Sequence, residues 1–326
     1  MRVGFMMKWP KGRSEMVGQN FIGDEIYAES LCQAISRIDG VESAEVFAPN
    51  HEPQGRQDFM IYLNDLPPRP ETADRHVLYL QNAYNEGSDR KLRELTAHRY
   101  NGYAFISHGL LDIHRKDGLD GIFLPFGVDT TTFYPRERDE GYAHEVAYVG
   151  NDIKGAERTE RYILPAAKYD FGLYGNWDLS LRSRLGHYEF WNKGGHIARH
   201  RRVLSRRGRG KIPQDKVPVL YSSSKINLNC TLQDCVDWDV ITLRTFEVLA
   251  CRGFLISDSV PSAERLLKDG VVFTTGGKDL EEKMDRYLDD DRERERIAKA
   301  GYEYTVKNAT IQARAAELVN YLKVLA

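Results

Sequence analysis

The chain has 326 residues, of which 41% are hydrophobic and 29% are charged, and its formal net charge is −2. This length predicts two domains of ~100–200 residues each, and the composition excludes an intrinsically disordered chain. The nearly neutral charge excludes a general electrostatic attraction to nucleic acid or membrane, so any such preference must be local.

Targeting segments and metal clusters are not evident in the sequence. The first apolar run is too short for a signal peptide, and no stretch approaches the ~18 apolar residues of a membrane span. We therefore expect a cytoplasmic protein. The four cysteines form no Cys-x-x-Cys pair and have no histidine at zinc-ligand spacing, so we expect buried or half-buried free thiols.

Short apolar runs rich in β-branched and aromatic residues recur along the chain, and each predicts a strand. The predicted strands are 3–7, 45–48, 59–63, 77–80, 103–107, 122–126, 145–149, 171–174, 226–229, 254–257 and 271–273. Apolar residues at helical spacing predict helices over 22–38, 244–251, 263–268 and 280–288. The alternation of strands and helices predicts an α/β protein with parallel sheets covered on both faces.

A linker interrupts this alternation. Pro125 and Pro135 bound a segment that leads into the charged stretch 136–144, which has no apolar face. We therefore predict an N-terminal domain over 1–135 and a second domain over 136–308. Residues 309–326 predict an amphipathic helix that packs back across the domains. Two doubly wound domains would leave a cleft at the carboxyl ends of their strands, where such folds bind ligands.

The strongest candidate site lies near the start of the helix predicted over 244–251. Arg244 and Glu247 are three residues apart and so share one face of that helix. Arginine offers a planar fork to phosphate oxygens, a carboxylate accepts both ribose hydroxyls, and a helix N-terminus adds amide donors. This arrangement suits a nucleoside diphosphate. The alternative is an exposed ion pair, which contributes less than ~1 kcal/mol.

The segment from Arg244 to Asp258 resembles the donor-site helix of the group-1 glycosyltransferases of GT-B fold. It is most similar to the CgeB-like, or spore-maturation-like, branch. The segment from Leu124 to Pro135 resembles the interdomain signature of that family, and the similarity spans about residues 121–322. The resemblance implies two Rossmann-like doubly wound domains that face each other across a cleft. The second domain would bind a nucleotide-diphosphate-sugar, from which the enzyme transfers the sugar to an acceptor.

The resemblance also implies roles for individual residues. Glu247 would hold the ribose and Arg244 would lie near the diphosphate. Asp239 takes the first position of the family's Glu-x7-Glu pattern, where it is a catalytic candidate. The remaining donor-binding candidates lie at the ends of the first two strands of the second domain or just after them. For the two cations among them, Lys154 and Arg158, the alternative is a solvated surface position. The donor-binding candidates are Glu247, Arg244, Gly150, Asn151, Lys154, Arg158 and Tyr174.

The resemblance implies a retaining transfer without metal or cofactor. Asp237 and Asp239 have the spacing of a metal-binding Asp-x-Asp motif, but we interpret them as the entry to the donor helix. An inverting enzyme would instead need a general base near the acceptor. The bases that the first domain offers are Asp24, Glu25, His76 and His108, of which we rank Asp24 and His108 with Asp239 as catalytic candidates. The alternatives are ordinary first-turn acids for Asp24 and Glu25 and a polar loop histidine for His108.

One segment, 199–211, is strongly basic. Its cations are Arg199, Arg201, Arg202, Arg206, Arg207, Arg209 and Lys211. Such a segment can hold a polyanion such as nucleic acid or a phosphorylated glycan, or can dock on anionic lipid. The alternative is a solvated face balanced by nearby acids. Two further hypotheses therefore stay open, namely a glycosyltransferase acting on modified bases in nucleic acid and a catalytically silent sugar-nucleotide-binding protein on the same fold.

Overall fold

The structure, a computed structural model, describes residues 1–12, 23–63, 65–81, 88–177 and 198–326, with the side chains of 23, 24 and 88 excepted. It divides the chain into two compact units. Unit 1 comprises Met1–Asp129, Asp234–Ile241 and Ala309–Ala326, and unit 2 comprises Thr130–Gln233 and Thr242–Asn308. The division thus falls a few residues before the predicted linker ends at Pro135.

Unit 1 contains a sheet of six parallel strands in the order β2-β1-β3-β4-β5-β6. The strands are β1 (Arg2–Met6), β2 (Ser43–Phe47), β3 (Gln57–Leu63), β4 (Ala73–Leu80), β5 (Gly102–Phe105) and β6 (Ile122–Phe123). Their continuous apolar runs are buried because helices cover both faces of a parallel sheet.

Unit 2 contains five parallel strands in the order β11-β10-β9-β7-β8. These are β7 (Val146–Val149), β8 (Phe171–Tyr174), β9 (Ile226–Asn229), β10 (Leu255–Asp258) and β11 (Val272–Thr274). In each sheet the first strand lies between the second and the third, so the chain winds in opposite directions from it. This reversal creates a topological switch point, beside β1 in unit 1 and between β7 and β9 in unit 2.

The helices alternate with the strands as the apolar spacing predicts. In chain order they are α1 (Gly23–Ile35), α2 (Ser88–Thr96), α3 (His108–Lys116), α4 (Ala156–Tyr162), α5 (Arg199–Ser205), α6 (Val217–Ser223), α7 (Gln233–Asp237), α8 (Leu243–Ala250), α9 (Pro261–Leu267), α10 (Lys278–Asp289), α11 (Asp291–Asn308) and α12 (Ile311–Leu325). The predicted α/β class with two doubly wound domains is confirmed, and each predicted strand is present. No helix in the described part of the chain is long and apolar enough to cross a membrane.

Two segments join unit 1 from distant parts of the sequence. The predicted C-terminal helix is α12, which packs against α1, and its Tyr321 hydroxyl accepts a hydrogen bond from the amide of Tyr103 at 3.0 Å. Residues 234–241, which the sequence assigned to the second domain, also belong to unit 1. The reason is Trp238, whose ring packs on the apolar core of unit 1 and whose carbonyl accepts a hydrogen bond from the Ser107 hydroxyl at 2.6 Å.

Candidate functional site

The carboxyl end of β7 forms one side of the switch point in unit 2. Gly150 follows this strand, and its amide donates to the carbonyl of Tyr174 at 2.8 Å. A Cβ at the neighbouring Gly175 would lie 2.2 Å from the Gly150 carbonyl oxygen, so the two turns approach as closely as only glycine permits. The Asn151 side chain then accepts from the amide of Asn176 at 2.8 Å. The predicted turn Gly150–Asn151 is thereby held at the carboxyl edge of the sheet.

Arg244 lies in the first turn of α8, on the other side of this switch point. Its Nη1 donates to the side-chain oxygen of Asn229, the last residue of β9, at 3.3 Å. Its guanidinium carbon lies 5.5 Å from the ring centroid of Tyr148 in β7. Arg244 therefore presents a half-buried positive charge between the ends of β7 and β9, where doubly wound sheets bind anionic ligands.

Glu247 follows Arg244 by one turn of α8 and is also half-buried. Burial raises the pKa of its carboxyl to about 7, and the nearby charge of Arg244 offsets only part of this effect. In the part of the chain that the structure describes, neither side chain forms an ion pair. The two residues are thus not the exposed ion pair that the sequence left open, and the carboxylate has capacity for ligand hydroxyls.

Tyr148 is a residue that the sequence analysis missed. Its side chain is 1% exposed, and its hydroxyl oxygen has no hydrogen-bond partner among the described residues. Tyr148 and Gly150 are two residues apart at the end of β7, so they share one face of the sheet. The two-residue spacing between Tyr148 and Gly150 could have indicated a site residue. However, an apolar strand pattern does not distinguish a tyrosine that only packs in the core from one that contacts a ligand.

The other donor-binding candidates have structural partners. Arg158 in α4 forms an ion pair with the buried Asp258, and its Nε donates to the carbonyl of Thr231 at 2.7 Å. The Tyr174 hydroxyl hydrogen-bonds with His144 Nε2 at 3.2 Å. Lys154 is half-buried in the loop after Asn151. Donor contacts of Lys154, Arg158 and Tyr174 stay predictions.

The catalytic candidates belong to unit 1. Asp239 adopts a left-handed backbone with φ of 57° after α7, next to Trp238. His108 begins α3 and stacks on Phe123 with ring centroids 3.6 Å apart. Because Ser107 donates to the Trp238 carbonyl, the structure brings the segments that carry His108 and Asp239 together. Asp24 lies in α1, and its side chain is outside the described part of the structure.

The two further base candidates are tied into the framework of unit 1. The Glu25 carboxylate is buried and accepts from the amide of Gly12 at 2.7 Å. His76 Nδ1 lies 3.1 Å from the Tyr62 hydroxyl, and burial lowers the pKa of this histidine. Both contacts give these residues a structural role, while their catalytic use stays a prediction.

The basic segment 199–211 covers the edge of the sheet in unit 2. The amide of Arg209 donates to the carbonyl of Leu173 at 2.9 Å, and the amide of Gly175 donates to the carbonyl of Gly210 at 2.8 Å. Two cations are balanced, since Arg201 pairs with Asp152 at 2.8 Å and Arg209 lies 3.5 Å from Asp170. Lys211 is exposed and has an interaction partner. The other four, namely Arg199, Arg202, Arg206 and Arg207, are exposed and form no ion pair with any described residue.

The described residues provide no group of three or more His, Cys, Asp or Glu side chains that could hold a metal ion. The four cysteines are free, with Cys32, Cys230 and Cys251 buried and Cys235 half-buried, as the sequence predicted. A transfer without metal or cofactor stays a prediction.

Comparisons with known proteins identify relatives of this arrangement. The family model described as glycosyl transferase-like matches residues 158–320, half of the chain. No curated protein matches the chain. Sucrose-phosphate synthase from Thermosynechococcus elongatus is 14% identical, with a TM-score of 0.69, covering 99% of this chain and 98% of that chain.

Two other similar structures contain nucleotides. HepE from Anabaena in complex with UDP is 11% identical, with a TM-score of 0.64, covering 99% of this chain and 100% of that chain. A mutant of phage T4 BGT in complex with UDP-glucose is 14% identical, with a TM-score of 0.60, covering 100% of this chain and 99% of that chain. At these identities the likeness establishes a shared fold.

Proposed function

This chain belongs to the glycosyl transferase-like family of glycosyltransferases, and on that premise we propose that its unit 2 binds a nucleoside-diphosphate sugar as donor. The observation that carries the proposal is the placement of Arg244 at the switch point of unit 2, with Glu247 one helical turn further along α8 and no ion pair between the two side chains. A cation and an acid left available at this edge of the sheet fit a ligand that carries both phosphates and a diol.

Each group has a distinct task in this proposal. Arg244 offers its guanidinium fork to the diphosphate, and the turn at Gly150 allows the main chain to approach the phosphates closely. Glu247 accepts hydrogen bonds from the two ribose hydroxyls. These hydrogen bonds replace the ones to water that the carboxylate loses on burial. Because HepE and phage T4 BGT are similar structures determined with UDP or UDP-glucose, we propose a uridine donor, with UDP-glucose as the first to test.

The proposed reaction depends on charge. As the sugar leaves, negative charge develops on the diphosphate, and a preorganised cation stabilises it without reorganisation of solvent. Arg244 supplies that cation, and we propose that transfer needs no metal or cofactor and retains the anomeric configuration. We also keep the CgeB-like branch as a proposal, on the strength of the motif around Arg244 and Glu247.

Ligand-induced stabilisation tests the donor site. A nucleotide that binds only the folded protein raises the free energy of unfolding by RT ln(1 + [L]/Kd). This increase is ~2.7 kcal/mol when the ligand is in ~100-fold excess over Kd. We expect UDP to raise the melting temperature more than GDP or ADP does, and we expect no such shift in Arg244→Ala or Glu247→Ala. If no nucleoside diphosphate stabilises the wild type, the proposal is wrong.

Slow hydrolysis of UDP-glucose separates an enzyme from a catalytically silent binding protein. We expect the wild type to release glucose without an added acceptor and Arg244→Ala to lose this activity. A wild type that binds UDP but neither hydrolyses nor transfers the sugar would favour the silent protein.

The exposed arginines favour a second candidate, in which the acceptor is nucleic acid. Arg199 and Arg202 are three residues apart and share one face of α5, and Arg206 and Arg207 follow directly at its end. Arginine binds phosphate oxygens in a planar, bidentate manner. The described residues from 198 to 211 include no exposed large apolar side chain, so insertion into a lipid surface is disfavoured.

A gel shift with duplex and single-stranded nucleic acid tests this candidate. We expect binding that weakens as the salt concentration rises. The double variant Arg202→Ala/Arg206→Ala should reduce the slope of log K against log salt concentration by ~2, since each phosphate contact contributes ~0.9. Arg292→Ala is the matched control because Arg292 is an exposed arginine of unit 2 on another helix, α11. Equal binding by all three proteins would exclude this surface as a nucleic-acid contact.

A further inference from the structure

The hydroxyl of Tyr148 differs in its hydrogen bonding from the hydroxyls of Tyr62 and Tyr79, two other buried tyrosines. The Tyr79 hydroxyl donates to the carbonyl of Leu124 at 3.0 Å, and the Tyr62 hydroxyl lies 3.0 Å from that of Thr72. The Tyr148 hydroxyl has no partner among the described residues, although its side chain is 1% exposed. Buried polar groups are nearly always hydrogen-bonded in folded proteins, so a hydroxyl without a partner points to a ligand that completes it.

The position of this hydroxyl is set by Gly150. A Cβ built on Gly150 would lie 2.8 Å from the Tyr148 hydroxyl oxygen and 3.0 Å from its Cζ. The tyrosine side chain therefore extends along β7 to the carboxyl edge of the sheet and ends under the Gly150 turn.

The charges around the hydroxyl favour an anionic ligand. The guanidinium carbon of Arg244 lies 5.5 Å from the centroid of the Tyr148 ring. The acid groups that also face Tyr148 are Asp152 and Asp258, and these are paired with Arg201 and Arg158 respectively. Burial raises the pKa of the Tyr148 hydroxyl above its ordinary value, so the hydroxyl is protonated at neutral pH and can donate a hydrogen bond.

We infer that Tyr148 is a donor-binding residue, whose hydroxyl donates a hydrogen bond to a phosphate oxygen of the bound nucleoside diphosphate beside Arg244. This inference rests on the proposed function, because it names a contact within the same site. It also gives Gly150 a specific task. Any larger residue at position 150 would fill the space over the hydroxyl and prevent the contact.

Tyr148→Phe tests the inference because it removes one oxygen and leaves the ring that packs in the core. Since the hydroxyl has no hydrogen-bond partner among the described residues, we expect the variant to melt at or above the wild-type temperature without ligand. We expect its Kd for UDP, measured by calorimetry, to rise about 10- to 100-fold, the effect of losing a hydrogen bond to a charged group. Its affinity for uridine, which has no phosphate, should be unchanged.

Tyr79→Phe is the control, because that hydroxyl does have a protein partner. It should lower the melting temperature and leave the UDP affinity unchanged. A Tyr148→Phe variant that binds UDP as the wild type does would overturn the inference, as would an equal loss of affinity for uridine. A wild type that fails to bind UDP would instead refute the proposed donor site, so the two failures are distinguishable.

Discussion

Replacing Glu247 by glutamine should remove a pH dependence of stability that the wild type shows. Burial raises the pKa of this carboxyl from 4.5 to about 7 in the folded protein. Between these values the folded state binds a proton that the unfolded state has released, so the free energy of unfolding falls as the pH rises through this window. The effect is complete above about pH 8 and amounts to ~3 kcal/mol, at ~1.4 kcal/mol for each pH unit.

Glutamine is neutral at every pH and has nearly the same shape. We therefore expect the melting temperatures of Glu247→Gln and the wild type to differ little at pH 4.5. At pH 8 the variant should melt higher by about 6–12 °C, since ~1 kcal/mol shifts the melting temperature of a domain of this size by ~2–4 °C. Calorimetric scans at the two pH values measure this difference.

Glu137→Gln is the matched control, because Glu137 is an exposed glutamate of unit 2. Its melting temperature should follow that of the wild type at both pH values. If the difference between Glu247→Gln and the wild type were the same at pH 4.5 and pH 8, Glu247 would not have a raised pKa. The account of Glu247 as a half-buried acid that forms no ion pair with any described residue would then be refuted.

Three other changes have defined outcomes. Arg244→Lys keeps the charge but loses the planar fork, so we expect the Kd for UDP-glucose to rise about tenfold or more, and titration calorimetry measures it. Asp258→Asn leaves Arg158 without its buried ionic partner and should destabilise the protein by ~3–5 kcal/mol in chemical denaturation, whereas a loss below ~1 kcal/mol would contradict that role. Transfer should persist in EDTA, and complete loss that Mg²⁺ or Mn²⁺ restores would overturn the metal-independent proposal.

The sheets were predictable because their strands are local patterns. Runs such as Phe59–Leu63 and Val146–Val149 carry apolar or aromatic side chains on both faces, which is typical of parallel strands. The helix that carries Arg244 and Glu247 was predictable for the same reason, since the spacing of its residues sets which of them share a face.

Features that depend on distant contacts were not predictable. Residues 234–241 join unit 1 because Trp238 packs on its core, and nothing in the local sequence states this. The buried partner of Arg158 is Asp258, 100 residues away. That the Tyr148 hydroxyl has no hydrogen-bond partner among the described residues is likewise a property of its three-dimensional neighbours, because a tyrosine in an apolar strand is ordinarily part of the core.

A crystal structure of the chain with UDP tests the central claim most directly. We predict that the diphosphate lies within hydrogen-bond distance of the Arg244 guanidinium and that the ribose hydroxyls donate to the Glu247 carboxylate. Nucleotide bound elsewhere in the molecule, with both side chains free of it, would contradict the account.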